Sequence, residues 1–183
     1  MPSGGSVGHH GASPAHLPDA EAPDRAASMS YTLLKFLHVV GATVILGTGT
    51  GIAFFMLMAH RSRDPAFVAR TAGVVVAADM IFTASAVIVQ PVTGWLLARE
   101  LGLPLTEPWL ALSLALYVVA GLFWLPVVWM QARMRDLAAA AAVAGTPLPP
   151  AYHKLFRLWF AFGVPGFGSV AAIVWLMIAK PQP

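Results

Sequence analysis

The chain contains no cysteine. That excludes disulfides, zinc–thiolate centres and a cysteine nucleophile. It is also poor in charge: Asp, Glu, Lys and Arg make up 10% of its 183 residues, against roughly 25% in an average soluble domain. A disordered chain and an ordinary soluble enzyme are both excluded by that scarcity. No Walker loop, GxGxxG or HExxH is present, which argues against nucleotide-dependent and zinc-hydrolytic chemistry. No internal repeat is evident either, which weakens an inverted-repeat transporter. What the chain has in quantity is apolar surface. Hydrophobic residues reach 58% and the mean hydropathy is +0.72, the figures of an integral membrane protein.

The few charges cluster and leave four long gaps. Phe36 to His60, Pro108 to Ala132 and Leu158 to Ala179 carry none, and Thr71 to Ala98 carries only Asp79. A helix needs ~20 apolar residues to cross a ~30 Å hydrocarbon core. The runs lack the alternating polarity of a barrel strand. The pattern predicts an all-α fold, a bundle of four transmembrane helices near 32–59, 71–98, 109–131 and 156–179. Residues 29–183 form the membrane domain on this reading. Residues 1–28 are rich in Gly, Ser, Pro, Ala and His, a composition that buries too little to fold alone. They are expected to be a disordered tail or a mis-assigned start, with translation beginning at Met29. His9, His10 and His16 in that tail are expected to be solvated rather than metal ligands.

Arg61, Arg63 and Arg70 lie in the connection between the first two spans, and Arg133, Arg135, Lys154 and Arg157 in that between the last two. Arg25, Lys35, Arg99 and Lys180 lie on the opposite side. Basic residues are retained in the cytoplasm, so both termini are expected on the outer side of a bacterial inner membrane. The net positive charge is read as topology and attraction to anionic lipid, with no nucleic-acid partner. Tyr31, Trp95, Trp109 and Trp175 fall near the outer boundary, and Trp129, Tyr152 and Trp159 near the inner one, where amphipathic rings prefer to sit. The alanine run after Asp136 is expected to extend the third helix until Gly145 and the following prolines end it.

Polar residues inside the spans are the candidates for function. Asp79, Thr83, Ala86, Gln90 and Thr93 are spaced 4, 3, 4, 3, which puts them on one helix face. A face bearing a carboxylate, an amide and two hydroxyls must turn away from lipid. It serves either as interhelical hydrogen-bond glue or as a ligand- or proton-handling face. On the first span, Lys35 and His38 are one turn apart, followed on the same side by Gly41, Ala42, Ile45 and Gly49. His38 lies roughly 10 Å deep at 1.5 Å per residue, level with Gln90 and Thr93 on an antiparallel second span, so a His38–Gln90 neighbourhood is expected. Gly47 and Gly51 make a GxxxG pattern, a mark of close helix packing. Arg157 is the expected partner of Asp79. His60 and His153 are expected to approach each other at the inner border, without forming a metal site. Pro91, Pro126 and Pro165 interrupt three spans, and Gly163 to Gly168 reads as a hinge or a close-packed stretch.

The order of these pieces carries a resemblance. Lys35-x-x-His38-x-x-Gly41 opens the first span, Phe82-Thr83 and Gln90-Pro91-Val92-Thr93-Gly94-Trp95 run through the second, and Leu158-Trp159-Phe160 through Pro165 and Trp175 through Pro181 bound the fourth. From Tyr31 to Pro181 the chain resembles a family of predicted bacterial integral membrane proteins known as a domain of unknown function. The Lys-x-x-His opening is more distantly similar to the CopD-like copper-resistance group and the HemJ-type protoporphyrinogen oxidases. That similarity implies a b-type haem or porphyrin at His38, with Lys35 near a propionate. No second histidine lies at the depth of His38 in another span. Three functions therefore stay open: a non-enzymatic or accessory membrane protein, alone, as a homo-oligomer or in a larger complex; a haem- or porphyrin-linked redox protein; and a small oligomeric carrier using the Asp79–Gln90 face.

Overall fold

The computed structural model describes residues 22–181, and every regular element among them is helical. Four helices carry the chain. The first spans Ala22–Ser62, the second Pro65–Glu100, the third Pro108–Ala144 and the fourth Pro150–Ala179. Each is long and apolar enough to cross a membrane. Even the shortest, with 30 residues, runs about 45 Å at 1.5 Å per residue and so exceeds the ~30 Å hydrocarbon core. The chain is a multi-pass integral membrane protein. Of the tail expected over residues 1–28, residues 1–21, with the three histidines, lie outside the described residues, and residues 22–28 belong to the first helix.

The ends of the helices follow from local chemistry. Asp64 caps the second helix by accepting from the Ala66 N–H at 2.9 Å, and Pro65 takes the first helical position, where a missing N–H costs nothing. The alanine run continues the third helix as expected. It ends where Gly145 turns to φ +65°, a left-handed conformation that glycine adopts without penalty. Pro150 then opens the fourth helix.

Inside lipid, burial of apolar side chains supplies little drive for association, because acyl chains are equally apolar. Close packing and interhelical hydrogen bonds take over. The packing is concentrated at the end that carries the two short connections; the basic residues expected in the second of these, Arg133, Arg135, Lys154 and Arg157, lie on the flanking helices. At this end Met56 and Ala59, Val68 and Ala72, Met130 and Met134, and Tyr152 and Phe156 join all four helices in one cluster. At the opposite end a smaller cluster gathers Ala98, Trp109, Leu110 and Leu176. Between them the backbone of the second helix beyond Ala84 keeps close company with the first helix, whereas the third and fourth pack on each other. The remaining surface is apolar: only 6% of the fourth helix's apolar window is buried, as lipid contact requires.

The second helix is not uniform. Over Asp79–Thr83 it widens into a π turn, in which the Ala84 N–H bonds to the Asp79 carbonyl five residues back. Such turns are rare and often mark functional positions. About two turns beyond, Pro91 lacks the N–H that would reach the Val87 carbonyl. Tyr117 of the third helix supplies the donor instead, its hydroxyl bonding to Val87 O. The break in one helix thus becomes a link between two.

Some sequence expectations need correcting. Trp109, Tyr152 and Trp159, expected near the boundaries, are buried within the bundle, where packing or polar partners claim them. Trp95, Trp129 and Trp175 are exposed, as a boundary position allows. Gly47 and Gly51 do not mediate packing within the chain, since a Cβ on either would meet nothing within 4 Å. Helix-breaking residues from Gly163 to Gly168 leave the fourth helix continuous.

Candidate functional site

All five residues of the polar stripe on the second helix are buried: Asp79, Thr83, Ala86, Gln90 and Thr93. The side chains they meet divide into two groups, one at each half of the bundle.

The first group centres on Asp79, only 2% exposed. Its Oδ1 accepts from the indole Nε1 of Trp124 at 3.2 Å. In the amide orientation that satisfies its neighbours, Gln131 donates from Nε2 to Asp79 Oδ2 at 3.0 Å and accepts at Oε1 from Trp159 Nε1 at 3.2 Å. Gln131 is itself fully buried. The chain Trp159–Gln131–Asp79–Trp124 therefore ties the second, third and fourth helices together. Every donor in it is neutral. Arg157 is not the partner of Asp79: it sits exposed between the buried Phe156 and Trp159, on a face of the fourth helix that points out of the bundle. Sequence reasoning missed Trp124 and Gln131, although they stand seven residues apart, with Tyr117 seven before, on one face of the third span. Their amide and indole groups, costly in lipid, were a further clue.

The second group centres on His38. Its Nδ1 lies 2.9 Å from Thr93 Oγ1. The Thr93 hydroxyl also reaches the Val89 carbonyl at 2.9 Å and the Gln90 carbonyl at 3.2 Å; where its one proton goes to either carbonyl, Nδ1–H donates to Thr93 and Nε2 keeps its lone pair. Gly94 makes room for the ring: a Cβ there would come within 3.1 Å of His38 Cε1. Gly41 does the same for Gln90, whose Cδ would lie 3.3 Å from an added Cβ. The expected neighbourhood of His38 and Gln90 is thus present on the first two helices. Lys35 stands apart from it, exposed and over the ring of Tyr31 at 5.7 Å.

Two buried oxygens on the stripe, Thr83 Oγ1 and Gln90 Oε1, are without a hydrogen-bond partner. At the far end of the first helix His60 stacks on Phe156 with ring centroids 3.7 Å apart and meets His153 edge-on at 5.6 Å. Among the described residues no group of three or more His, Cys, Asp or Glu side chains is placed to hold a metal ion.

Residues 32–181 match the family described as predicted integral membrane protein (DUF2269). No curated protein and no solved structure matches the chain.

Proposed function

The chain belongs to that family of predicted integral membrane proteins, and from this premise we propose that it is a non-enzymatic, accessory membrane protein. It resides in a bacterial inner membrane with both termini outward, the orientation that the basic connections favour, and it works within a homo-oligomer or larger membrane assembly. The observation that carries this reading is that the intramembrane polar groups are directed at one another. Asp79 is taken up by Trp124 and Gln131, and His38 by Thr93. Groups so engaged hold helices in register. The test has two parts. Extracted gently from its native membrane, the protein should migrate well above its 19.3 kDa monomer mass. Reconstituted in vesicles, it should pass no more protons or ions than empty vesicles do. A monomer with Asp79-dependent flux would overturn the reading.

Thr83 Oγ1 and Gln90 Oε1 favour a second reading. Buried oxygens without partners are costly, and a water or a polar solute at each would relieve that cost. On this reading the Asp79–Gln90 face is the path of a small carrier, and Asp79→Asn would abolish its flux.

A haem at His38 finds less support. Orientation of Nδ1–H by a hydroxyl suits a ligating histidine. The room that small residues create beside it, however, is already filled, at Gly94 by the imidazole itself and at Gly41 by Gln90. Lys35, over Tyr31, is not part of the same group. These residues do not fit a flat macrocycle between the first two helices, and no step is routed through one.

A further inference from the structure

The end of the bundle that carries the two short connections holds a concavity of ≈ 400 Å³ lined by His60, Arg63, Pro147, Leu148 and His153. Three of these five side chains are basic: His60 and His153 come from two helices and Arg63 from the connection between the first and second. We propose that this concavity is an anion site that takes a phosphate group at the membrane boundary.

Its parts are held in place by the fold. His60 is sandwiched by its stack on Phe156 at 3.7 Å and 5°. Its Nδ1 lies 3.4 Å from the hydroxyl of the buried Tyr152. Where the phenol donates to Nδ1, the ring's own proton stands on Nε2 as a donor. His153 abuts His60 edge-on. Arg63 has φ +57°, a left-handed backbone uncommon outside glycine, at the bend between the first and second helices. A guanidinium offers a planar fork of donors that matches phosphate oxygens two at a time.

One carboxylate stands nearby: Asp64 keeps its negative charge, but its Oδ1 is turned to the Ala66 N–H as the cap of the second helix. The only ion pair between side chains among the described residues joins Arg135 to Asp136. Pro149 gives the fourth helix no side-chain cap, so the positive end of that helix dipole adds to the same region. Helix lengths place the concavity near the headgroups, where basic pockets between helices recruit anionic lipid. Phosphate in this position comes either from a phospholipid headgroup or from a soluble phosphate.

The experiment uses the full chain in detergent. Native mass spectrometry compares retention of phosphatidylglycerol with that of phosphatidylcholine, and calorimetry measures inorganic phosphate alone. Phosphatidylglycerol should be retained at least about tenfold better than phosphatidylcholine, a preference worth roughly 1.4 kcal/mol. Arg63→Gln and His153→Gln should each remove most of it, and His153→Arg should preserve it. Arg70→Gln and Arg157→Gln, exposed on the same end, should leave it unchanged. If free phosphate does not displace the lipid, the source is the headgroup; if phosphate binds alone with the same dependence on Arg63, the source is soluble. Equal retention of the two lipids with no phosphate binding would overturn the proposal. So would an equal loss in the Arg70 and Arg157 controls, since that is diffuse attraction rather than a site. Melting temperatures of all variants should stay near wild type, and the His153→Arg result keeps the test decisive if one glutamine variant fails to fold.

Discussion

Replacing Gln131 with Leu tests the buried network at its middle. Leucine matches the volume closely but can neither donate to Asp79 Oδ2 nor accept from Trp159 Nε1, the contacts at 3.0 and 3.2 Å. Two buried polar groups lose their partners at once. In a water-soluble interior each would cost about 1–3 kcal/mol. Hydrogen bonds between membrane helices are worth less, averaging about 0.6 and reaching about 1.7 kcal/mol, because the unfolded helices in the bilayer also find partners. Gln131→Leu should therefore cost about 1–3 kcal/mol in total. Asp79→Leu should cost a similar amount, since it strands Trp124 and Gln131. The double variant removes both members of the central bond and should cost less than the two singles added together, by about 1 kcal/mol. Unfolding in mixed micelles titrated with a denaturing detergent would measure all three. Strict additivity, within about 0.3–0.5 kcal/mol, would refute the bond between Asp79 and Gln131. A cost for either single below that margin would refute the network as a structural element.

Three further outcomes follow from the same geometry. Gly94→Ala should destabilise by about 1–3 kcal/mol through overpacking, because its Cβ would press on His38 at 3.1 Å, whereas Gly47→Ala should be neutral or slightly stabilising because its Cβ meets nothing within 4 Å; thermal melts in detergent would rank them. Tyr117→Phe should cost about 1 kcal/mol by stranding the Val87 carbonyl that Pro91 leaves free; an equal stability for variant and wild type would refute that role. The protein purified from haem-replete cells should show no Soret band in a reduced-minus-oxidised spectrum, with His38→Ala indistinguishable; a band lost in the variant would restore the haem reading.

The four spans were legible because charge is excluded from hydrocarbon so strongly that its absence marks them. The inward stripe from Asp79 to Thr93 was legible for a related reason: polar groups at helical spacing have one place to go. The meeting of His38 with Thr93 could be reached by counting depth along antiparallel helices. Other features were harder to read. Asp79 was assigned to Arg157 by charge, but Trp124 and Gln131 are neutral donors already inside the bundle, so a cation need not be drawn out of the boundary. Trp159 and Trp109 were read as boundary rings because ring type alone cannot tell a headgroup from an interior amide or a packed cluster. The π turn adds one residue to a helix without altering composition, and only the backbone reveals it. Val87 needing a donor from Tyr117 follows from Pro91, and that link could have been drawn from the sequence had the third span's register been known.

The absence of cysteine makes one measurement direct. Single cysteines placed along positions 81 to 93, each spin-labelled in a lipid bilayer, report contact with acyl chains through collision with dissolved oxygen. Ile81, Ile88 and Val92 are 62%, 68% and 53% exposed, whereas Thr83, Ala86 and Thr93 are 6%, 6% and 5% exposed. A bundle that turns its polar edge inward predicts high oxygen collision rates at 81, 88 and 92 and low rates at 83, 86 and 93. The reverse pattern, with 86 and 93 open to lipid, would contradict it.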